Sequence, residues 1–281
     1  MAVVDQLPYR PFLEPGQILD GAFRWRLGLR PLDLRNWFEV GEDGARWTAE
    51  KPGIMAAHPD QVFAALDDAE PECAEVAAAI ADHVGRELDP SLHPLDAAAR
   101  LVADDLVVMV ERDDGLVFGA GSVCFPNRWD LPSKLGRTMA EVHAPVAGLN
   151  DQLESAVDGF LARLTPERSF WRLGWGLIDS AEGFEPPVPR TPGIEIGIPS
   201  GQARRRSVRA DVAGGTDADG VHVRVERETL RRFPVTDCVL FTIRTYIAPI
   251  GCSSDDDRAS IERVVAAMPP DVLRYKDLRT V

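Results

Sequence analysis

The sequence lacks the features that mark several common classes of protein. No run of about 18 apolar residues occurs, so we expect no membrane-spanning helix. The four cysteines form no C-x-x-C pair, which argues against a zinc site or a thioredoxin-type centre. No P-loop, H-E-x-x-H or G-x-S-x-G motif occurs, and Gly119-x-Gly121 is only half of a dinucleotide fingerprint. The first twenty residues have no basic start followed by an apolar run, so a cytoplasmic location is expected.

Basic residues are also fewer than acidic residues. The 281 residues carry a formal net charge of −14, and such a chain repels phosphate backbones, so we expect no nucleic-acid partner. One basic run, Arg204 to Arg209, lies among Gly, Ser and Asp and is interpreted as a solvated loop. Hydrophobic residues make up 45% of the chain, which is ordinary for a globular protein.

The apolar patterns predict a single α+β domain over residues 1–281, with an antiparallel sheet and helices before, between and after its strands. Asp113-Asp114-Gly115 joins two strand-like runs as a hairpin. Gly119 and Gly121 indicate a bulge or a close approach of the backbone to a bound group. The five predicted strands are residues 105–111, 116–125, 170–178, 221–227 and 238–247.

Helical periodicity marks the segments around these strands. Cys73 to Val84 places apolar residues on one helix face, and Arg258 to Met268 predicts a closing helix. A helix is predicted from an N-cap at Asp130 to about Val142, and a second one capped by Asn150. We expect residues 1–50 to wrap over the core with their aromatic rings buried. Residues 179–219 are predicted to be a long loop, either functional, a lid or disordered.

His143 is the first candidate for chemistry. It follows an amphipathic helix, and Ala144-Pro145 fixes the direction of the chain after it. An imidazole at such a place can ligate a metal or a haem iron. It can also cap the helix and interact with its dipole, and the spacing of residues alone favours this second interpretation.

Charged and hydroxyl side chains within strands are the second set of candidates. Arg224 and Arg244 occur where apolar strands are expected, and a half-buried guanidinium needs an anion. That anion is either a protein carboxylate such as Glu226 or a carboxylate of a ligand. Tyr246 either offers a hydroxyl to a pocket or is buried against backbone, and Lys134 is either a surface residue or a site residue.

Several blocks of the chain resemble the haem-dependent oxidative N-demethylase family. The block at 121–146 contains Phe-Pro-x-Arg-Trp, Lys-x-Gly and His-x-Pro-Val in that order, and Glu-Arg-x-Thr-Leu follows within a later block. The similar blocks keep the order of the family over most of the chain. They are residues 27–37, 121–146, 168–171, 223–234, 241–250 and 275–278.

The resemblance implies a fold similar to PAS domains, with a five-stranded antiparallel sheet cupping a cofactor against helices. It implies that haem b lies in the cup and that His143 ligates the iron. The implied activity is oxidative removal of a methyl group from a small secondary amine, of the dimethylamine type, with O₂ as oxidant. Formaldehyde is a product, and the electrons come from separate flavin and iron–sulfur reductase subunits.

With that resemblance, Arg224 and Arg244 are expected to anchor the haem propionates, and Lys134, Arg244 and Tyr246 are the catalytic candidates. Ala147 and Phe170 depart from the family pattern, and these departures concern the amine substrate more than haem binding. The alternative is a non-catalytic PAS-like protein that senses haem or a gas, or that binds another ligand. The absence of an attached output domain disfavours sensing.

Overall fold

The computed structural model describes residues 4–113, 115–186, 194–196 and 220–280. Its centre is a seven-stranded sheet in which every pairing is antiparallel, so the α+β prediction is confirmed. The strands are β3 (Arg30–Leu32), β4 (Phe63–Ala65), β5 (Asp105–Arg112), β6 (Gly115–Ser122), β7 (Ser169–Ile178), β9 (His222–Arg232) and β10 (Val239–Pro249). Within the sheet they follow the order β3-β7-β9-β10-β5-β6-β4.

The prediction of five strands is corrected to seven. The five long strands are the predicted ones, and the two additions, β3 and β4, are three-residue strands at the sheet edges. Neither shows an alternating pattern of its own, because three residues are too few. The conformation of so short a strand is determined by the neighbouring strand with which it pairs. Pro31 lies in β3, where an edge position tolerates the missing backbone N–H.

The remaining elements surround this sheet. A small hairpin precedes it, and a two-stranded parallel sheet lies outside it. No helix in the parts of the chain that the structure describes is long and apolar enough to cross a bilayer. The additional strands are β1 (Ile18–Leu19), β2 (Ala22–Phe23), β8 (Ile194–Ile196) and β11 (Leu278–Thr280). The helices are α1 (Glu42–Ala57), α2 (Pro59–Val62), α3 (Glu70–Val84), α4 (Pro94–Ala99), α5 (Met139–His143), α6 (Leu149–Leu161), α7 (Asp255–Ala266) and α8 (Pro270–Tyr275).

The hairpin of β5 and β6 forms where the Asp-Gly signal predicts it. Gly115 adopts a φ of +103°, a region that side-chain-bearing residues rarely enter. The register shifts between Val108 and Met109, opposite Gly119, so the predicted bulge is confirmed. A Cβ at Gly119 would lie 2.4 Å from a methyl group of Val110, which is too close for any side chain. Packing therefore requires glycine at this position.

The register defines two faces of the sheet, because neighbouring residues of a strand point to opposite sides. Arg172 pairs with Glu228, and Glu228 pairs with Ile243, so these side chains share one side. We call it the His143 face, because α5 and α6 pack there. Arg227 and Arg244 pair with each other and point to the opposite side, the Arg244 face.

The Arg244 face carries the larger part of the apolar core. Helices α3 and α4 pack on it through Ile80 and Leu95, and Leu240 meets them from β10. The first fifty residues bury Trp37 and Trp47 in the same cluster. These rings are buried as expected, but helix α1, which includes Pro52, has no clear sequence signal.

The segment leading to His143 is not the single helix predicted from Asp130. It forms a 3-10 turn, Pro132–Lys134, and then the short helix α5. Gly136, at φ +71°, interrupts the helix, and Thr138 restarts it through a capping box with Glu141. His143 is the last residue of α5. The predicted cap at Asn150 is also corrected, since its side chain donates to the carbonyl of Ala140.

The predicted loop 179–219 lies mostly outside the described residues, as does the Arg204 to Arg209 run. Its first part, through residue 186, is described and runs beside the segment before α5. Glu185 forms a bridge with Asn127, and its carboxylate lies 3.3 Å from Nε of Arg128. The β8 segment within the loop pairs in parallel with β11.

Candidate functional site

The His143 face of the sheet is incompletely covered at its centre. Val107, Met109 and Val239 are buried under α5 and α6. Phe241 and Ile243, although they lie on the central strand β10, are only half-buried. Half-buried apolar side chains in the middle of a seven-stranded sheet indicate a hollow with an apolar floor.

His143 borders this hollow from helix α5. Its side chain is half-buried, and neither ring nitrogen hydrogen-bonds to any residue that the structure describes. Burial lowers the pKa of His143 to about 4, and the positive charges of Arg172 and Lys134 lower it further in the same direction. The imidazole is therefore neutral near pH 7, which is the state that ligates a metal.

An ion pair lies on the floor of the hollow. Nε of Arg172 lies 3.2 Å from a carboxylate oxygen of Glu228, its direct cross-strand neighbour. Burial raises the pKa of Glu228 to about 7, and the attraction of Arg172 only partly offsets this. A Cβ at Gly174 would lie 2.9 Å from Oε1 of Glu228, so the glycine makes room for the carboxyl.

Lys276 closes one side of the same region. Its Nζ donates to the carbonyl of Trp175 at 3.1 Å and lies 5.3 Å from the ring centre of Trp25. The indole N–H of Trp25 donates to the carbonyl of Ala147 at 2.9 Å, shortly after His143. Burial lowers the pKa of Lys276 to about 8, and Glu226 acts against this shift.

A cleft leads to these residues along the edge of β7. It holds about 540 Å³ of empty space, part of it open to solvent. Its walls include Trp25 and Trp175, and Arg24 and Arg26 contribute positive charge. Arg172, Gly174 and Lys276 also line the cleft, so it reaches the floor described above.

Arg224 lies on the His143 face but is largely held by the protein. Its guanidinium lies 2.8 Å from Glu226 and donates to the carbonyl of Phe125 at 2.6 Å and to the hydroxyl of Thr245 at 2.9 Å. Its Nη1 is buried and has no partner among the described residues. One buried donor therefore remains for a further anion or a water molecule.

Arg244 and Tyr246 lie on the opposite face from His143. Arg244 is buried and pairs with the carboxylate of Asp43. The hydroxyl of Tyr246 donates to the carboxylate of Glu39, and burial together with Glu39 raises the pKa of Tyr246. The structure therefore does not bring these two predicted site residues together with His143.

Lys134 does lie near His143. Its Nζ donates to the carbonyl of Val142 at 3.4 Å, and burial lowers its pKa.

Sequence reasoning missed Arg172, Glu228 and Lys276 as members of this site. Two of them stand in blocks already noted: Glu228 is the variable residue of Glu-Arg-x-Thr-Leu, and Lys276 lies in block 275–278. The block pattern was the available signal, but it carries no information about which side chains converge.

The residues of the His143 face fit a haem group. A neutral imidazole with unpaired nitrogens suits an axial ligand, and the apolar side chains of Phe241 and Ile243 suit a macrocycle. Gly176 leaves the same face of β7 bare further along the sheet, where a Cβ would meet only Nζ of Lys276, at 4.0 Å. Arg172 supplies a cation for a propionate.

A comparison with known families gives a match over most of the chain. The family model described as haem-dependent oxidative N-demethylase, alpha subunit-like, matches residues 83–281, more than two thirds of the chain. The matched region contains α5, the five long strands and Lys276. It excludes residues 24–26, which form part of the cleft wall.

Proposed function

The chain belongs to the haem-dependent oxidative N-demethylase, alpha subunit-like family, and on this premise we propose that it binds haem b on the His143 face and demethylates a small secondary amine. The neutral, unpaired imidazole of His143 beside a half-covered apolar floor carries this proposal. The five long antiparallel strands, with α5 and α6 between the second and third, support the likeness to a PAS cup.

His143 is the residue that would ligate the haem iron. Arg172 is the proposed partner of a haem propionate, with Arg24 and Arg26 adding positive charge in the same cleft. Arg224 remains a candidate anchor through its unpaired Nη1. Arg244 and Tyr246 are left out, because the sheet separates them from His143. When bound, haem supplies the activation of O₂, and the protein supplies ligation, polarity and access.

Glu228 is the residue proposed to accept the proton of the substrate amine. A small secondary amine is a cation near pH 7 and must lose a proton before its nitrogen lone pair is available. A carboxyl with a pKa of about 7 can accept that proton at Oε1 or Oε2 and release it again at the same pH. Lys134 adds an ammonium group near His143.

The electrons are proposed to come from separate flavin and iron–sulfur subunits. The family is described as an alpha subunit, which indicates a multi-subunit oxidase. The sequence contains no cysteine cluster or dinucleotide motif for either cofactor. The net charge of −14 favours a basic docking face on such a partner through long-range attraction.

The experiment is haem reconstitution of the purified protein, followed by assay with dimethylamine, O₂ and an artificial electron donor. We expect a Soret band and release of formaldehyde. His143→Ala should lose the band while circular dichroism stays unchanged, and His93→Ala, which removes a cap of α4, should keep it. An unchanged spectrum in His143→Ala would show that another residue is the ligand. A haem spectrum without formaldehyde release would favour a sensor.

A further inference from the structure

Lys276 is a primary amine that the proposed demethylation does not use. It follows α8 and is half-buried, and its Nζ reaches the floor of the His143 face beside Gly176. A Cβ at Gly176 would lie 4.0 Å from Nζ, so the bare backbone leaves space around the amine. Trp25 forms a wall on another side, 5.3 Å away. The amine therefore belongs to a residue that lines a cleft partly open to solvent.

The charges around Lys276 come from several elements. Glu226 on β9 favours the ammonium form. Arg172 on β7 and Arg24 and Arg26 from the N-terminal segment line the same cleft as cations, and Glu14 lines it as a carboxylate, 3.9 Å from Arg26. Burial has the largest effect on the pKa, which falls to about 8. Roughly a tenth of Lys276 is then neutral at pH 7, against less than about a thousandth of an ordinary lysine.

We propose that Lys276 traps small aldehydes in the cleft by forming an imine. The aldehyde class is named from the proposed function, since the proposed demethylation releases formaldehyde on the same face of the sheet. A desolvated lysine in a pocket of limited size is the usual form of an amine that reacts with carbonyl groups. The trapping would hold a toxic product on the enzyme until water releases it.

The chemistry balances without an oxidant or a reductant. The Nζ lone pair forms a C–N bond to the carbonyl carbon, and the oxygen takes a proton, which gives a carbinolamine. Loss of water breaks the C–O bond and leaves the imine. Hydrolysis is the reverse of these two steps and returns the free amine and the aldehyde.

The other two lysines of the chain are internal controls. Lys51 is fully buried, donates to the carbonyls of Ala99 and Asp104, and lies 3.8 Å from the Asp105 carboxylate. Lys134 is 9% exposed and donates to the carbonyl of Val142. Neither lines the cleft beside Trp25.

The test exposes the haem-loaded protein to limiting ¹³C-formaldehyde with cyanoborohydride, which converts an imine into a stable N-methyl group. Peptide mass spectrometry then scores each lysine, with the N-terminal amine scored apart. We expect Lys276 to be labelled at least tenfold faster than Lys134, Lys51 or the same peptide in urea. The rate should rise to half its maximum near pH 8. Lys276→Arg should remove this label alone.

Labelling of Lys276 at the rate of Lys134, or at its rate in urea, would overturn the proposal. So would labelling that disappears when haem is loaded, because Lys276 would then be a propionate partner. Exogenous formaldehyde requires no turnover, so the two proposals fail separately. Demethylation without Lys276 labelling contradicts only the trap. Labelling with no demethylation supports the trap and contradicts the proposed function.

Discussion

The two faces of the central sheet both bury charged side chains but satisfy them differently. On the Arg244 face, Arg244 pairs with Asp43, and Glu39 accepts from the hydroxyls of Tyr9 and Tyr246. Arg227 donates to backbone carbonyls on the same side. On the His143 face, the imidazole has no such partner among the described residues, and Arg172, which pairs with Glu228, lines the cleft together with Lys276.

The comparison shows that charge within a strand does not by itself mark a site. Arg227 and Glu228 are neighbours in β9, yet they point to opposite faces. Arg227 is 3% exposed and packs against the N-terminal segment, whereas Glu228 borders the hollow. Accessible space beside the charged groups separates a candidate site from a structural ion pair, because Arg244 and Asp43 also keep buried atoms without a partner among the described residues.

The largest effect is expected at the centre of the Arg244 face. Arg244→Met should lower the free energy of unfolding by about 3 kcal/mol, because Asp43 would keep a partly buried charge without its partner. Urea denaturation measures the loss. Arg35→Met removes an exposed pair with Asp33 and should leave unfolding almost unchanged. A lost Soret band in folded Arg244→Met would place this residue in the haem site after all.

A smaller effect, dependent on pH, is expected at Glu228. The pKa of its carboxyl rises from 4.5 to about 7 on folding, so its charge costs stability as pH rises through that window. Glu228→Gln in the haem-free protein should therefore gain roughly 2–3 kcal/mol over wild type between pH 5 and pH 8. Urea titrations at both pH values measure this difference. A gain that is the same at both pH values would mean that Glu228 ionises normally.

The smallest effect is expected for Tyr246→Phe. The variant keeps the ring, over which the Arg244 guanidinium lies at 4.6 Å, and loses only the hydrogen bond to Glu39. The loss should be about 1 kcal/mol in thermal or urea unfolding. The haem spectrum and formaldehyde release per folded molecule should not change. Loss of activity at full stability would restore Tyr246 as a catalytic candidate and weaken the contrast between the faces.

Much of the fold could be predicted locally. Alternation and apolar runs located the five long strands, and Gly115 and Gly119 marked the turn and the bulge. Helix α1 could not be found in this way, because its apolar residues are too few to give a clear stripe. The break at Gly136 was missed because the stripe from Leu131 to Val142 continues across it.

The candidate site was predicted only in part. His143 was accessible to sequence reasoning, because Pro145 and the family block both mark it. Arg172, Glu228 and Lys276 were not, since they come from distant parts of the chain. Their convergence depends on the pairing of β7 with β9 and on the contact of Lys276 with Trp175.

The amino-acid order alone determined the strand segments, the hairpin and the family to which the chain belongs, because these depend on side-chain periodicity, on glycine and on local motifs. Tertiary structure decided which charged residues meet. Arg224 and Arg244 look equivalent along the chain, but strand register sends their side chains to opposite sides of the sheet. Register is fixed by pairing over the whole sheet, so no local pattern could have assigned one arginine to His143 and the other to Asp43.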